Sequence, residues 1–242
     1  MKILIVRHGD PNYEIDSLTE KGWREAELLS ERITKLDVKE FYLSPLGRAK
    51  DTASFTLQKL GRTGIECEWL QEFPPKILRP DNPNAPVCWD WLPQDWTKEE
   101  AYYQYDNWYN TKIMKDGHVK EAFEHVTSNF DHLLAKYGYV RKGHLYQVEK
   151  ANNDTIVLFC HFGVGCVIIG HLLGISPMVL WHGFCAAPTS VTTITSEERR
   201  KGIACFRVNA YGDTSHLYAH DEEPAFAARF CESYDNKEER HD

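Results

Sequence analysis

No apolar run in this 242-residue chain reaches the roughly 18 to 20 residues that a bilayer-spanning helix needs. No basic, apolar and cleavable leader is expected, because Met1 to Val6 reads as the start of a strand. Paired cysteines are absent as well. The seven cysteines, Cys67, Cys88, Cys160, Cys166, Cys185, Cys205 and Cys231, are odd in number and scattered, with no CxxC or metal-ligand spacing. They read as reduced, mostly buried thiols of a cytoplasmic protein, which excludes a disulfide framework and structural zinc. An excess of positive charge is lacking too: 28 Lys and Arg stand against 36 Asp and Glu, for a formal net charge of −8. That balance argues against nucleic acid or an anionic membrane as a general partner. Any anionic ligand then needs a local basic pocket. No repeat or low-complexity tract interrupts the chain, and 242 residues can form one domain.

The residues that are present suggest an alternating α/β chain. Met1 to Val6 is a short apolar, β-branched run that breaks at Arg7-His8-Gly9-Asp10-Pro11-Asn12, as a strand buried on both faces does at its end. Ligands gather at the carboxyl ends of such strands. Thr19 is a good N-cap, with Leu18 placed to staple onto Trp23, and apolar residues recur at helical spacing from Trp23 to Leu36. A strand is expected at 38–43, and a helix starting at Ser44-Pro45, whose first turn carries Arg48 and whose amides would attract a phosphate. Another strand, 65–70, leads into Gln71-Glu72-Phe73-Pro74-Pro75. From about 73 to 110 prolines and aromatics crowd together (Trp89, Trp91, Trp96, Tyr102, Tyr103, Tyr105, Trp108, Tyr109). Such an excursion is either a binding lid or a satellite core that packs itself down. An amphipathic helix from Val119 to Tyr137 carries His118, His125 and His132 along one flank as surface histidines. A second fully apolar strand, 155–160, ends at His161-Phe162-Gly163 and opens a helix capped by Gly174. Ser176-Pro177 starts a short helix, 191–195 and 203–208 pair as a hairpin, and a charged tail with an amphipathic stretch near 226–230 begins at about 221.

Three strand ends thus present Arg7-His8-Gly9, Ser44-Pro45-x-x-Arg48-Ala49-x-x-Thr52-Ala53 and His161-x-Gly163, with Leu18-Thr19-x-x-Gly22 and a glutamate between them. In this ordered set the chain resembles the histidine phosphatase superfamily, branch 1 type, with its phosphoglycerate-mutase-like fold. Asp213-Thr214-Ser215-His216-Leu217 resembles a segment near that family's C-terminus. The resemblance implies a three-layer α/β/α sandwich with a central, mostly parallel sheet, 1–242 as a single domain, an aromatic insertion over about 73–110 and a tail over about 221–242. It implies His8 as the nucleophile that becomes a phosphohistidine, Arg7, Arg48 and His161 around the phosphate, and Glu72 as the proton donor. Asn12 and Phe162 are further candidates for substrate contact. Asp10 is a rival acid whose place in the loop suits a turn.

The chemistry fits these residue types on its own terms. A neutral imidazole is an unprotonated nucleophile once its other nitrogen is held by an acceptor, and a carbonyl of the Arg7–Gly9 loop is the obvious one. Two guanidiniums and a second imidazole spread positive charge over phosphoryl oxygens, so no metal or other cofactor is expected. A carboxyl aimed at the leaving oxygen contributes about 10²- to 10⁴-fold. The expected activity is that of an acid-phosphatase-type phosphomonoesterase acting on a small molecule. The alternatives are a phosphoglycerate-mutase-type phosphoryl transfer and a non-catalytic phospho-ligand or protein-binding module. Phe73-Pro74-Pro75 after the glutamate, and Phe162 where many members carry glycine, weigh against phosphoglycerate as the substrate. Oligomeric state leaves no mark on the sequence.

Overall fold

The computed structural model describes residues 1–226 and 229–241. Strand β1 (Lys2–Arg7) leads to a tight hairpin of β2 (Pro11–Asn12) and β3 (Ser17–Leu18), then α1 (Glu20–Ile33), β4 (Glu40–Leu43), α2 (Gly47–Leu60) and β5 (Ile65–Glu66). The aromatic insertion contributes only the short α3 (Pro93–Trp96) and single 3₁₀ turns before α4 (Lys112–Asp116) and α5 (Val119–Lys136). There follow β6 (Tyr139–Lys142), β7 (Leu145–Val148), β8 (Thr155–Cys160), α6 (Phe162–Leu173), α7 (Pro177–Gly183), β9 (Val191–Arg200), β10 (Ile203–Asp213) and α8 (Ser215–Tyr218).

Strand side chains alternate faces, and this sorts the core into two layers. Leu4, Val6, Phe41, Leu43, Val157 and Phe159 pack under Leu29, Ile33 and Ala53 of α1 and α2. Ile3, Ile5, Tyr42, Ile156 and Leu158 face the other way, toward Phe130 and Leu134 of α5 and Val164 and Val167 of α6. The result is the expected α/β/α sandwich. Its sheet runs β5-β4-β8-β1-β9-β10-β7-β6, and here the expectation of a mostly parallel sheet fails. The β5, β4, β8 and β1 neighbours are parallel. The pairings from β1 through β9, β10 and β7 to β6 are antiparallel. Strands joined by a tight turn must pair antiparallel, and two such hairpins, β6–β7 and β9–β10, fill that half.

Local expectations are met unevenly. Thr19 caps α1 by accepting from the Gly22 amide, while the Trp23 ring packs edge-on against Phe55. Gly174 ends α6 in the left-handed region. The strand expected over 65–70 stops at Glu66, because a 3₁₀ turn over Glu68–Leu70 buries both Trp69 and Leu70, which successive strand positions on opposite faces would not allow here. The insertion is packed down: Phe73, Cys88, Trp91, Tyr102 and Trp108 belong to the main core, and Trp108 meets Phe123 and Trp181 edge-on at 5.5 and 5.4 Å. Of the seven cysteines only Cys88, Cys160 and Cys166 are buried, fewer than expected. His118, His125 and His132 are exposed, as expected. The amphipathic stretch expected at 226–230 includes Ala227 and Ala228, which lie outside the described residues. Among the described residues no helix is long and apolar enough to cross a membrane.

Candidate active site

Parallel register sets the site. Arg7, the last residue of β1, is opposite Cys160, the last of β8, and Leu43 at the end of β4 is opposite Phe159. The chain therefore leaves three adjacent strands at one level, as Ser44, His161 and His8. The His8 amide donates to Cys160 O at 3.0 Å and the Ser44 amide to Phe159 O at 2.9 Å. The rings of His8 and His161 lie 5.0 Å apart and tilted by 56°, and both are buried.

His8 Nδ1 lies 2.7 Å from the carbonyl of Gly9. A carbonyl only accepts, so Nδ1 carries the proton and Nε2 is the bare nitrogen. Burial, the Arg7 charge and the Arg48 charge push the His8 pKa down to about 3, against the pull of the Gly9 bond, so the ring is neutral near pH 7. The loop holding it is fastened from both sides. Gly9 N donates to Thr52 Oγ1 at 2.9 Å, and Thr189 N donates to His8 O at 3.1 Å. A Cβ on Gly9 would stand 2.8 Å from the Gly22 carbonyl, so the loop can seat against α1 only without a side chain.

His161 precedes the first turn of α6. Its Nε2 is 2.7 Å from Ser44 Oγ, which also accepts from the Leu46 amide. Its Nδ1 is buried with no hydrogen-bond partner among the described residues. Burial, then His8, Arg48 and Arg7, hold its pKa well below the ordinary histidine value. The Arg7 guanidinium donates to Ala186 O at 2.5 Å and stands 5.8 Å from the centre of the Phe162 ring. Arg48 is buried in the first turn of α2.

Glu72 reaches the same place from the far side. Its Oε1 accepts from Phe73 N at 2.9 Å and Val164 N at 3.1 Å, so it caps the start of α6. Burial raises its pKa; the Phe73 and Val164 amides, Arg7 and the Gly163 amide pull the other way. Gly163 is glycine for a steric reason, since a Cβ there would lie 2.6 Å from Glu72 Oε1 and 2.7 Å from the Trp89 ring.

The structure thus gathers Arg7, His8, Glu72, His161 and Phe162, with Arg48 nearby. Asn12 is engaged locally, its Oδ1 accepting from Glu14 N at 3.2 Å, and Asp10 holds Thr19 Oγ1 at 2.7 Å in the turn. The start of α2 departs from expectation. Ser44 does not cap it; the helix begins at Gly47 with no side-chain cap from its own N-cap residue. Instead Asp16, in the left-handed region at φ 49°, accepts from Gly47 N at 2.7 Å and from Arg48 Nη1 at 2.5 Å. Nothing local marks Asp16 as more than a turn residue. Thr189 is a second residue that sequence reasoning missed. It is β-branched yet sits at φ 56°, and its hydroxyl is 3.2 Å from the buried His216 Nε2. The segment around His216 was the available signal. Among the described residues no group of three or more His, Cys, Asp or Glu side chains is arranged to hold a metal ion.

Comparison with known proteins bears on the fold. The fold is that of several solved phosphatases: it matches the phosphoserine phosphatase of Entamoeba histolytica, a mutant form of which was crystallised with phosphoserine, at a TM-score of 0.58 and 19% identity over 89% of this chain and 98% of that one. It matches the alpha-ribazole phosphatase of Shigella flexneri at 0.54 and 21% identity over 88% and 97%. At these identities the likeness concerns the fold alone. Residues 3–77 match the model of the histidine phosphatase superfamily (branch 1). A 2,3-bisphosphoglycerate-dependent phosphoglycerate mutase of Thermoplasma acidophilum is 39% identical over 83 residues, which is 30% of this chain and 42% of that mutase's length.

Proposed function

We propose that the protein is a phosphomonoesterase that works through a phosphohistidine on His8. The observation that carries this is the Nδ1 contact of His8 with Gly9 O, which leaves Nε2 unprotonated beside two guanidiniums and a second imidazole. In this reading Nε2 attacks phosphorus and the P–O bond to the alcohol breaks. Arg7, Arg48 and His161 neutralise the phosphoryl oxygens. If Ser44 donates its one proton to His161 Nε2, the ring proton resides on Nδ1, and His161 becomes a donor to phosphate. Glu72, its pKa raised by burial, protonates the departing oxygen and then draws the proton from the water that cleaves the phosphohistidine. Asn12 and Phe162 contact the substrate at the rim. Positive charge comes from the side chains, so the chemistry requires no metal. Residues 1–242 form one domain in this reading, with 73–110 as its specificity insertion and 221–242 as its tail. The odd number and scattered spacing of the cysteines support a cytoplasmic location.

The test is a phosphomonoester panel run with EDTA present and scored by kcat/KM. Turnover by the wild type and loss of at least 10³-fold in His8→Ala support the reading; turnover that EDTA abolishes or that His8→Ala retains contradicts it. The likeness to a mutase over 83 residues favours a second reading, phosphoryl return to a bound product. Label retained in an isomerised phosphoglycerate, rather than released as inorganic phosphate, distinguishes it.

A further inference from the structure

Beside the candidate phosphate site lies a cavity of about 620 Å³, within the size range that holds a small-molecule ligand. It is walled by Trp91, Trp96, Phe162, Trp181, Phe184 and Phe230. Phe162 belongs to both places: its ring lines the cavity and lies 5.8 Å from the Arg7 guanidinium. The loop that accepts the Arg7 hydrogen bond at Ala186 supplies Cys185 to the cavity wall as well.

Most polar groups around this space are already engaged; the exceptions are Trp91 Nε1, buried with no hydrogen-bond partner among the described residues, and the exposed Arg229, 3.7 Å from Glu232. Arg79 gives Nε and Nη2 to the two oxygens of Asp81 at 3.1 and 2.7 Å, and Nη1 to Trp89 O at 2.9 Å. Asp81 also accepts from Leu92 N at 2.8 Å. His182 faces Met178 O through Nδ1 at 2.7 Å and accepts from Trp91 N through Nε2 at 3.2 Å, so its ring is a fixed neutral tautomer. Trp96 stacks on that ring at 4.8 Å and 19°. Asp90 is paired with Arg240 at 3.1 Å. What the wall offers a ligand is therefore mainly aromatic faces, with a single indole N–H at Trp91 and the exposed Arg229 as its remaining polar groups.

We propose that this cavity receives a planar, uncharged ring carried on the alcohol side of the phosphomonoester, with the phosphate on Arg7 and His8 and the ring among Trp96, Phe162 and Trp181. Flat rings gain from offset and edge-on contacts with such walls. A phosphoester with a polyhydroxylated alcohol would lose its hydration there and recover few hydrogen bonds in return. This inference rests on the phosphomonoesterase reading above.

Three esters with the same kind of primary leaving oxygen test it: propyl, 3-cyclohexylpropyl and 3-phenylpropyl phosphate. kcat/KM is expected to be on the order of 10- to 100-fold higher for the phenyl ester than for the propyl ester, with the cyclohexyl ester between them. Trp96 is half-buried, and Trp96→Ala should bring the phenyl-to-propyl ratio toward one while Trp96→Phe largely restores it. Binding of the product alcohol, 3-phenylpropan-1-ol, is followed by tryptophan fluorescence in the same proteins. Equal kcat/KM with and without the ring, or a ratio that Trp96→Ala leaves intact, overturns the proposal, as does failure of the alcohol to bind. If no ester is hydrolysed but the alcohol binds in a Trp96-dependent way, the ring site stands and the phosphatase reading falls.

Discussion

Gly163→Ala probes the proton-donor role proposed for Glu72 without replacing that residue. The new Cβ would be 2.6 Å from Glu72 Oε1 and 2.7 Å from the Trp89 ring. Trp89 is packed on Trp181 at 5.8 Å, so its ring and the Glu72 carboxylate must both give way. To reach an ordinary 3.4 Å contact Oε1 must retreat by about 0.8 Å. It is held by amide bonds of 2.9 and 3.1 Å, and such a move takes both beyond good hydrogen-bond range. A displacement near 1 Å of a positioned group costs about 10²-fold, within the roughly 10²- to 10⁴-fold that a general acid contributes. Helix propensity works in the opposite direction, Ala being favoured over Gly by about 1 kcal/mol inside a helix, so a loss of activity cannot be assigned to an unstable helix. The assay is kcat/KM on two substrates. An alkyl phosphate, whose alkoxide needs a proton, should lose about 100-fold; p-nitrophenyl phosphate, whose anion needs none, should lose less than about fivefold. Equal losses on both, or no loss on either, would refute the role given to Glu72.

Two further perturbations test other parts of the account. Asp16→Ala removes the carboxylate that binds both Gly47 N and Arg48 Nη1; it should cost about 1 kcal/mol in urea unfolding, as loss of a cap does, and weaken inhibition by inorganic phosphate roughly tenfold through a misplaced Arg48. An unchanged inhibition constant would show that Arg48 does not need this partner. The histidines give a pH dependence: His8 is pushed down to about 3 and His216 to about 4, each chiefly by burial, and His161 is lowered too. Unfolded histidine takes up its proton near 6.5. The folded values lie below that, so their stability is intact above about pH 6.5 and is lost as pH falls toward 4 and 3, at up to about 1.4 kcal/mol per unit per histidine. Burial holds Glu25 and Glu72 above the ordinary carboxyl value, which offsets part of the loss. Urea unfolding should therefore report a drop on the order of 2–4 kcal/mol between pH 7 and 5, and a flat profile would contradict the burial assigned to these rings.

The strand ends were legible because each is a local event. Four to six apolar residues stop at a polar, glycine-containing turn, and that is visible at Val6-Arg7-His8-Gly9 and at Cys160-His161-Phe162-Gly163. The Gly9 carbonyl as partner of His8 was legible for the same reason, since the two residues are adjacent. Partner choice was not. The alternation in 191–208 marks a hairpin, but nothing in it says that β9 pairs antiparallel with β1, and the short β6–β7 hairpin around Gly143 carries too little apolar pattern to stand out. The same limit hid Asp16. A carboxylate 32 residues from Arg48 becomes its partner only once the β2–β3 hairpin folds over α2, and Ser44, a plausible cap by position, is drawn instead to His161. The aromatic insertion was visible as composition, whereas its burial against α5 and α7 depends on the tertiary fold.

Trapping the covalent intermediate tests the central claim most directly. The protein is mixed with a ³²P-labelled phosphomonoester in EDTA, quenched in base within the first turnover and digested for peptide mapping. The account predicts label stable to base and released by acid, on a peptide containing His8 and with the phosphoryl group on its imidazole, and none in His8→Ala. Label that survives acid, label on a residue other than His8, or turnover with no covalent phosphoprotein would contradict it.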